Sequence, residues 1–312
     1  MKYRHIPVMV EEILGYLNCQ PGQICVDCTV GGAGHAKAII EKVLPDGLLI
    51  GIDQDADAIE AASRELSNHK HNVHLFHDNF VNLPEILARL HISAVDGILA
   101  DLGLSLYQLE SSGRGFSFQG EEPLDMRMNT DYSSTAEDIV NSASRETLKH
   151  IFKAYGEEKW AGAIAGKIVE RRKRRRIRTN RELVELIASA IPGHVAGKRK
   201  IHPATQVFMA LRIFVNNELE RLEQFLSVAV DHLKPGGRLC ILSFHSLEDR
   251  IVKHRFKALE NPCTCPRDFP QCVCGKKPVV RVLTRKVRRP GPSEVERNPM
   301  ARSTHLRAAE KL

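Results

Sequence analysis

Cys25-Val-Asp27-Cys-Thr-Val-Gly31-Gly-Ala-Gly34-His35, followed by Leu48-Leu-Ile-Gly-Ile-Asp53-Gln-Asp55, is the stretch on which the fold turns. It reads as a short buried strand, a glycine-rich turn, a helix, and a second buried strand that ends in an acid. In a parallel sheet such a unit brings the turn and the acid to the carboxyl edge, where ligands sit. Glycine lets backbone approach a ligand, and an acid at the strand end accepts hydrogen bonds from a ribose.

The turn is not the dinucleotide fingerprint. Gly31-Gly32-x-Gly34 lacks the G-x-G-x-x-G spacing that sets a helix N-terminus against a pyrophosphate. Asp53 nevertheless lies 19 residues beyond Gly34, close to the separation of about 20 that such folds use for the ribose acid. The ligand suited to this pattern is an adenosine-type molecule with ribose hydroxyls and no pyrophosphate. S-adenosylmethionine fits that description. For the turn taken alone, a plain loop connection is the alternative.

Outward from this stretch the same alternation continues. Val73-His-Leu-Phe-His77 and Val95-Asp-Gly-Ile-Leu-Ala-Asp101 read as further buried strands, with helical patterns at 35–43 and 57–66. Strand and helix alternating at this spacing imply a doubly wound, mostly parallel sheet. Asp27, Asp53 and Asp101 all fall at strand C-termini, as do the polar residues around Asp78-Asn79-Phe80. From 111 to 215 the reading is helical, without a convincing strand. Thr179-x-x-Glu182 is a capping box opening a helix, and Val207, Leu211, Val215 and Leu222 predict a helix from Pro203 into the 220s. The α/β pattern resumes at 233–245, where Pro235 and Gly236 are expected to end a helix and 239–244 to form a strand. The expected organisation is an α/β core of 1–110 and 216–312 interrupted by a helical insertion, 111–215. Leaving after the fourth strand, the insertion stands beside the ligand end of the sheet. That position suits a substrate lid or an RNA platform, with a purely structural elaboration as the alternative.

Composition narrows the class. The chain has 312 residues, 43% of them hydrophobic, and a net charge of +7, which marks a globular protein with a polyanionic partner in view. Acids at Glu11 and Glu12 come too early for a signal-peptide core, and no apolar run approaches the roughly 18 residues of a membrane span. A cytoplasmic location is the expectation. Of eight cysteines, Cys19, Cys25, Cys28 and Cys240 are scattered and read as buried thiols.

Several blocks coincide with one family. They include His5-Ile-Pro-Val-Met9, Asp27-Cys-Thr-Val-Gly-Gly-Ala-Gly-His35, Gly51-Ile-Asp-Gln-Asp55 and Asp96-Gly-Ile-Leu-Ala-Asp-Leu-Gly103. Arg114-Gly-Phe-Ser-Phe118, Pro123-Leu-Asp-Met-Arg-Met128, Tyr155-Gly-Glu-Glu158, His202-Pro-Ala-Thr205, Ser243-Phe-His-Ser-Leu-Glu-Asp-Arg250 and Asn298-Pro-Met-Ala-Arg-Ser303 follow in order. On these the chain resembles the bacterial small-subunit ribosomal RNA methyltransferase H family. The resemblance implies a class I S-adenosylmethionine-dependent methyltransferase fold, methylation of the N4 amine of a cytidine in 16S ribosomal RNA, and the small ribosomal subunit as partner. It also implies cofactor contacts at Ala33, Gly34, His35, Asp53, Phe80, Asp101 and Gln108. Ala33 departs from members that carry glycine there. Gln206 and Met209 depart from the Arg-Thr-Phe-Gln that many members carry, which leaves their substrate-side role open.

The residues bear on the chemistry directly. Methyl transfer from a sulfonium is an in-line displacement that depends on positioning. The lone pair of a cytosine amine is delocalised into the ring, so an acceptor at its N–H would localise it; Asp101 suits that catalytic role, or the binding of the cofactor's amino end. The Asn/Asp-Pro-Pro-Tyr motif of many amino methyltransferases is replaced here by Asp101-Leu-Gly-Leu-Ser105. The stacking aromatic must therefore come from elsewhere, with Tyr107, Phe116, Phe118 and Phe244 as candidates. His245 reads as a proton relay or as a structural histidine. The run Arg171, Arg172, Lys173, Arg174, Arg175, Arg176 continues an amphipathic helix with Trp160, Ile164 and Ile168 on its apolar side; it reads as an RNA phosphate contact, against a solvated helix face. Residues 281–289 add a second basic patch. Base chemistry on RNA needs the target out of its stack, so a loop or partly assembled particle is the expected substrate. Cys263, Cys265, Cys272 and Cys274 form two C-x-C pairs whose four thiolates suit a structural zinc, against reduced thiols or disulfides. A non-catalytic RNA-binding assembly factor and a nicotinamide-dependent oxidoreductase are the competing classes; the first is disfavoured by the full set of cofactor residues, the second by the missing pyrophosphate fingerprint.

Overall fold

The computed structural model describes residues 7–197, 201–266, 271 and 273–312. The chain divides into two compact units, Leu104–Glu218 and the pair of segments Tyr3–Gly103 with Leu219–Leu312.

The two-segment unit is built on a seven-stranded sheet in the order β3-β2-β1-β4-β5-β7-β6. Its strands are β1 (Ile24–Asp27), β2 (Leu48–Asp53), β3 (Val73–His77), β4 (Val95–Asp101), β5 (Leu233–Ser243), β6 (Val280–Val282) and β7 (His305–Lys311). Strands β1 to β5 pair in parallel, while β7 and β6 run antiparallel at one edge. This is the doubly wound, mostly parallel sheet expected. Successive apolar residues serve opposite faces. Val26, Ile50, Ile98 and Ile241 enter one core, and Cys25, Leu49, Leu99, Cys240 and Leu242 enter the other. Each fully buried aliphatic side chain contributes roughly 1.5–3 kcal/mol. The four scattered cysteines are all buried, as expected.

Strand order reverses between β1 and β4, which makes their carboxyl ends the switch point of the sheet. The register brings the acids to that edge: Asp27 lies opposite Gly51 and Leu99, Asp53 opposite His77, and Asp101 opposite Leu242. Beyond β1 the chain stays between its neighbours, with Cys28 N–H donating to Leu99 O (2.8 Å) and Val30 N–H to Ile52 O (2.9 Å).

Two expectations are corrected. Pro235 and Gly236 lie inside β5 rather than ending a helix; the preceding helix stops at Val228. Val95 pairs with Leu233 and Gly97 with Arg238, so the Pro-Gly-Gly segment is a bulge in the ladder, and Gly236 takes φ +79° there. The single helix expected from Pro203 into the 220s is broken at Asn217, whose φ of 50° ends Pro203–Asn216 before Glu218–Val228 begins. The antiparallel strands β6 and β7 were not anticipated. Arg281, counted in the second basic patch, sits on β6 and pairs with Glu310 of β7 at 2.7 Å.

The unit Leu104–Glu218 is helical and has its own core, including Leu148, Phe152, Ile164, Ile168, Leu183 and Leu211. The capping box of Thr179 and Glu182 opens the Asn180–Ala190 helix as expected. Among the described residues no helix is long and apolar enough to cross a membrane.

Candidate functional site

The turn after β1 is left-handed at two points, Gly31 (φ 48°) and Ala33 (φ 63°). Ala33 is buried and stands as N-cap of the Gly34–Val43 helix. Holding a residue with a Cβ in that region costs of order 1 kcal/mol or more, the kind of strain that collects at functional sites. Gly34 has a different reason to be glycine. A Cβ there would sit 2.9 Å from the ring of Pro7, so the close approach it permits is that of the chain's own proline.

Asp53 is fixed by this turn. Its Oδ2 accepts from Gly31 N–H and its Oδ1 from Asp55 N–H, both at 2.9 Å. Each oxygen keeps a lone pair, which suits a carboxylate aimed at a pair of neighbouring hydroxyls. Burial raises its pKa from 3.8 to about 6, against the two backbone bonds, which lower it. Asp27 is only 1% exposed. Its Oδ1 accepts from Thr29 N–H at 3.1 Å. Burial, opposed by that bond and reinforced by the charge of Asp53, takes its pKa from 3.8 to about 7.

Asp101 ends β4 with its backbone N–H donating to Thr29 Oγ1 at 2.6 Å. Burial, then the charges of Asp27 and Glu248, hold its carboxyl well above the usual range. Its Oδ2 faces Nδ1 of buried His35 at 3.6 Å. The other ring nitrogen, Nε2, lies 2.9 Å from Val8 O. A carbonyl only accepts, so Nε2 carries a hydrogen, and Nδ1 is the ring nitrogen turned toward Asp101. The three strand-end acids therefore form one electrostatic cluster in which each carboxylate disfavours ionisation of the next. Chemically, such an arrangement can accept hydrogen bonds from hydroxyls and attract positive charge.

The neighbouring strand end supplies the aromatic. Phe80, half-buried, packs edge-on against Phe225 with centroids 5.1 Å apart, so one side of the ring belongs to the core. Asp78 is occupied with local geometry, its Oδ1 accepting from Asn79 N–H (2.8 Å) and Asn82 Nδ2 (2.7 Å). Asn79 Nδ2 donates to Gln54 Oε1, which also receives Arg221 Nη1. At the end of β5, His245 opens the Ser246–Glu260 helix. Its Nε2 lies 3.2 Å from Glu248 Oε1, and Glu248 Oε2 accepts from Phe244 N–H. His245 thus has the structural setting that the sequence allowed for it. Phe244 packs beside Gly103, whose φ of +97° and closeness to that ring exclude a side chain.

In the helical unit, Gln108 closes the capping box of Leu106–Glu110: its Oε1 accepts from Ser105 N–H (3.0 Å), and its own N–H donates to Ser105 Oγ. The long blocks around it are loop staples. Arg114 Nη1 donates to the carbonyls of Arg127 and Met128 and lies over Phe116; Arg127 grips Asp125 through two bonds; Asn216 bridges Met126 O and Met128 N–H. Phe118 stacks on His202 at 4.8 Å. The basic run is divided. The helix ends at Arg172, which donates to Val140 O; Arg175 pairs with Glu182, and Arg176 pairs with Glu137 and Asp138. Arg171 is half-buried, whereas Lys173 and Arg174 are exposed beyond the helix end.

The sulfur atoms of Cys263, Cys265 and Cys274 lie within 4.8 Å of one another. Cys272, the fourth of the cluster, lies outside the described residues. Thr29, Asp27 and Glu248 were not singled out as site residues from sequence. Thr29 carried a signal in its place two residues beyond a strand-end acid, where its hydroxyl can receive the next strand's N–H.

Comparison with known proteins bears on this site. The profile of the MraW methylase family matches residues 2–312. A protein of Desulforapulum autotrophicum named ribosomal RNA small subunit methyltransferase H is 56% identical over the full length of both chains. Proteins of the same name from Desulfosudis oleivorans and Clostridium botulinum are 51% and 48% identical, again over the full length of both chains.

Proposed function

The chain belongs to the MraW methylase family, and from that membership we propose that it is an S-adenosylmethionine-dependent methyltransferase of small-subunit ribosomal RNA that acts on the N4 amine of a cytidine in 16S RNA. The observation that carries the reading is the acid cluster at the carboxyl edge of β1, β2 and β4, with Asp53 pinned by the backbone amides of Gly31, in the turn after β1, and Asp55, just beyond β2. The donor chemistry fits the cofactor. Asp53 suits the ribose hydroxyls, Phe80 one face of the adenine, and Asp27 and Asp101 the positive charges of the methionine portion. When bound, that group supplies a methyl carbon made electrophilic by its sulfonium.

The chain's part in the reaction is position and charge. The N4–carbon bond forms as the carbon–sulfur bond breaks, in line, and one amine proton then leaves. Asp101 holds the cofactor's amino end in this reading; as an acceptor at the N4 hydrogen it would instead localise the lone pair and take up developing charge. The helical unit, 104–218, is the RNA-binding part, with Lys173 and Arg174 as exposed phosphate contacts.

The test begins with calorimetric titration of S-adenosylmethionine into the purified chain, which should give one site. Small subunits from cells lacking the protein are then incubated with labelled cofactor, and the digested nucleosides are resolved by mass spectrometry. Label in N4-methylcytidine is the expected result. Absence of cofactor binding would leave a binding protein, and label on another base atom would overturn the amine assignment.

A further inference from the structure

The loop that joins the Ser246–Glu260 helix to β6 runs through residues 261–279, and none of its described residues is buried; Val273 is 74% exposed. Its base is clipped, with Val279 N–H donating to Leu259 O (2.9 Å) and Val282 N–H to Glu260 Oε1 (2.8 Å). The described residues of this loop bury no apolar side chain that would offset the entropy of ordering them. Yet the sulfurs of Cys263, Cys265 and Cys274 converge to within 4.8 Å. In a tetrahedral zinc site, with metal–sulfur bonds of about 2.3 Å, neighbouring sulfurs stand roughly 3.8 Å apart. The three are thus within about 1 Å of forming one face of such a tetrahedron.

Two further details favour a metal over three independent thiols. Val273 N–H donates to Cys265 Sγ at 3.3 Å, a bond that strengthens when the sulfur carries negative charge. Directly after Cys274, Gly275 turns the chain in the left-handed region at φ +65°, with open space around it. Lys276 and Lys277 follow and offset the charge of a thiolate-rich centre.

We infer that Cys263, Cys265 and Cys274 are ligands of one structural zinc ion that ties residues 263–265 to residue 274 ahead of β6. The ion is soft enough for thiolates and carries no redox chemistry; its binding releases the thiol protons and contributes to the folding of the segment. The fourth position is not assigned by the described geometry. The site lies apart in sequence from the strand-end acids and does not depend on the methyltransferase reading.

The test uses the full-length chain, purified without chelators under reducing conditions and dialysed against zinc. Elemental analysis should give about one zinc per chain. Cys263→Ser, Cys265→Ser and Cys274→Ser should each lower that content several-fold. In case a variant misfolds, cobalt loaded into the unmodified chain gives a second readout, because thiolate-to-metal charge transfer and intense visible bands report a tetrahedral sulfur site. Zinc content near zero with Cys263, Cys265 and Cys274 open to a thiol reagent, or a cobalt spectrum of octahedral oxygen type, would overturn the assignment. So would an intact mass showing that these cysteines are joined as disulfides after purification under reducing conditions.

Discussion

Replacing Asp27 with Asn should stabilise the ligand-free protein, and by an amount that depends on pH. The carboxyl is 1% exposed, and burial raises its pKa from 3.8 to about 7. The group thus prefers its proton in the folded state. Stability from that preference is fully present below about pH 4 and is lost as pH rises through 7. A rise of that size corresponds to on the order of 4 kcal/mol of penalty at pH 8, as an upper value. Asparagine keeps the Oδ1 that accepts from Thr29 N–H and never ionises. Wild type and Asp27→Asn should therefore be nearly equal in denaturant unfolding at pH 4, and the variant should be several kcal/mol more stable at pH 8. In thermal melts the gap is of order 10 °C, at about 2–4 °C per kcal/mol for a protein of this size class. Parallel stability curves for the two proteins from pH 4 to 8 would refute the idea that a buried, charge-coupled carboxyl at the end of β1 strains the fold.

Asp53→Asn should weaken S-adenosylmethionine roughly ten- to hundredfold, the worth of charge-assisted hydrogen bonds; an unaltered dissociation constant removes Asp53 from the site. Because its pKa is raised to about 6, cofactor affinity in the wild type should climb as pH rises through 6 and then level off. Calorimetry in buffers of different ionisation enthalpy should show proton release on binding below that pH. Gly34→Ala should cost about 1–3 kcal/mol through collision with Pro7, and the cost should shrink in a Pro7→Gly background, which a double-mutant cycle of unfolding free energies measures. Lys173→Glu with Arg174→Glu should weaken RNA binding, flatten its salt dependence and spare cofactor binding. Arg176→Glu should instead lower thermal stability, since it faces Glu137 and Asp138; identical behaviour of the two variants would show that the basic run does not divide as its contacts indicate.

The sheet was legible because parallel strands buried on both faces must be apolar throughout, and their carboxyl ends stand out as acids: Asp27, Asp53 and Asp101 were readable from the sequence. The strands β6 and β7 were not. Val280–Val282 has three residues, and His305–Lys311 mixes charge into its run because Arg307 pairs with Asp249 and Glu310 with Arg238. Pro235-Gly236-Gly237 misled for a related reason: those residues punctuate helices and bulges alike, and only the partner strand decides which. At the candidate site, residue types were readable but purposes were not. Gly34 answers to Pro7, a proline some thirty residues upstream in numbering, and the Arg114 and Arg127 blocks bind loop carbonyls; neither relation leaves a periodic trace. The charge run was visible as composition, while its partition into paired arginines and an exposed Lys173-Arg174 depends on Glu137, Asp138 and Glu182, which other helices bring in.

The acid cluster brings these strands of argument together. Apolar or amide residues at the ends of β1 and β4 would be more stable in the free protein, since burial and mutual repulsion push Asp27 and Asp101 away from their ordinary ionisation. A ligand that arrives with net positive charge reverses that sign: it stabilises the carboxylates, and the repulsion that raised their pKa values becomes attraction for the newcomer. The same electrostatics makes the site selective in the reaction's direction. On the reading proposed above, loss of the sulfonium charge would leave only the ammonium to offset the acids, so the product would be held less tightly than the substrate. On this argument the cluster discriminates between the two by charge alone. The demethylated cofactor should therefore bind more weakly than S-adenosylmethionine at pH 8, with the difference narrowing as the acids take up protons toward pH 5. Equal narrowing in Asp27→Asn would locate the discrimination elsewhere.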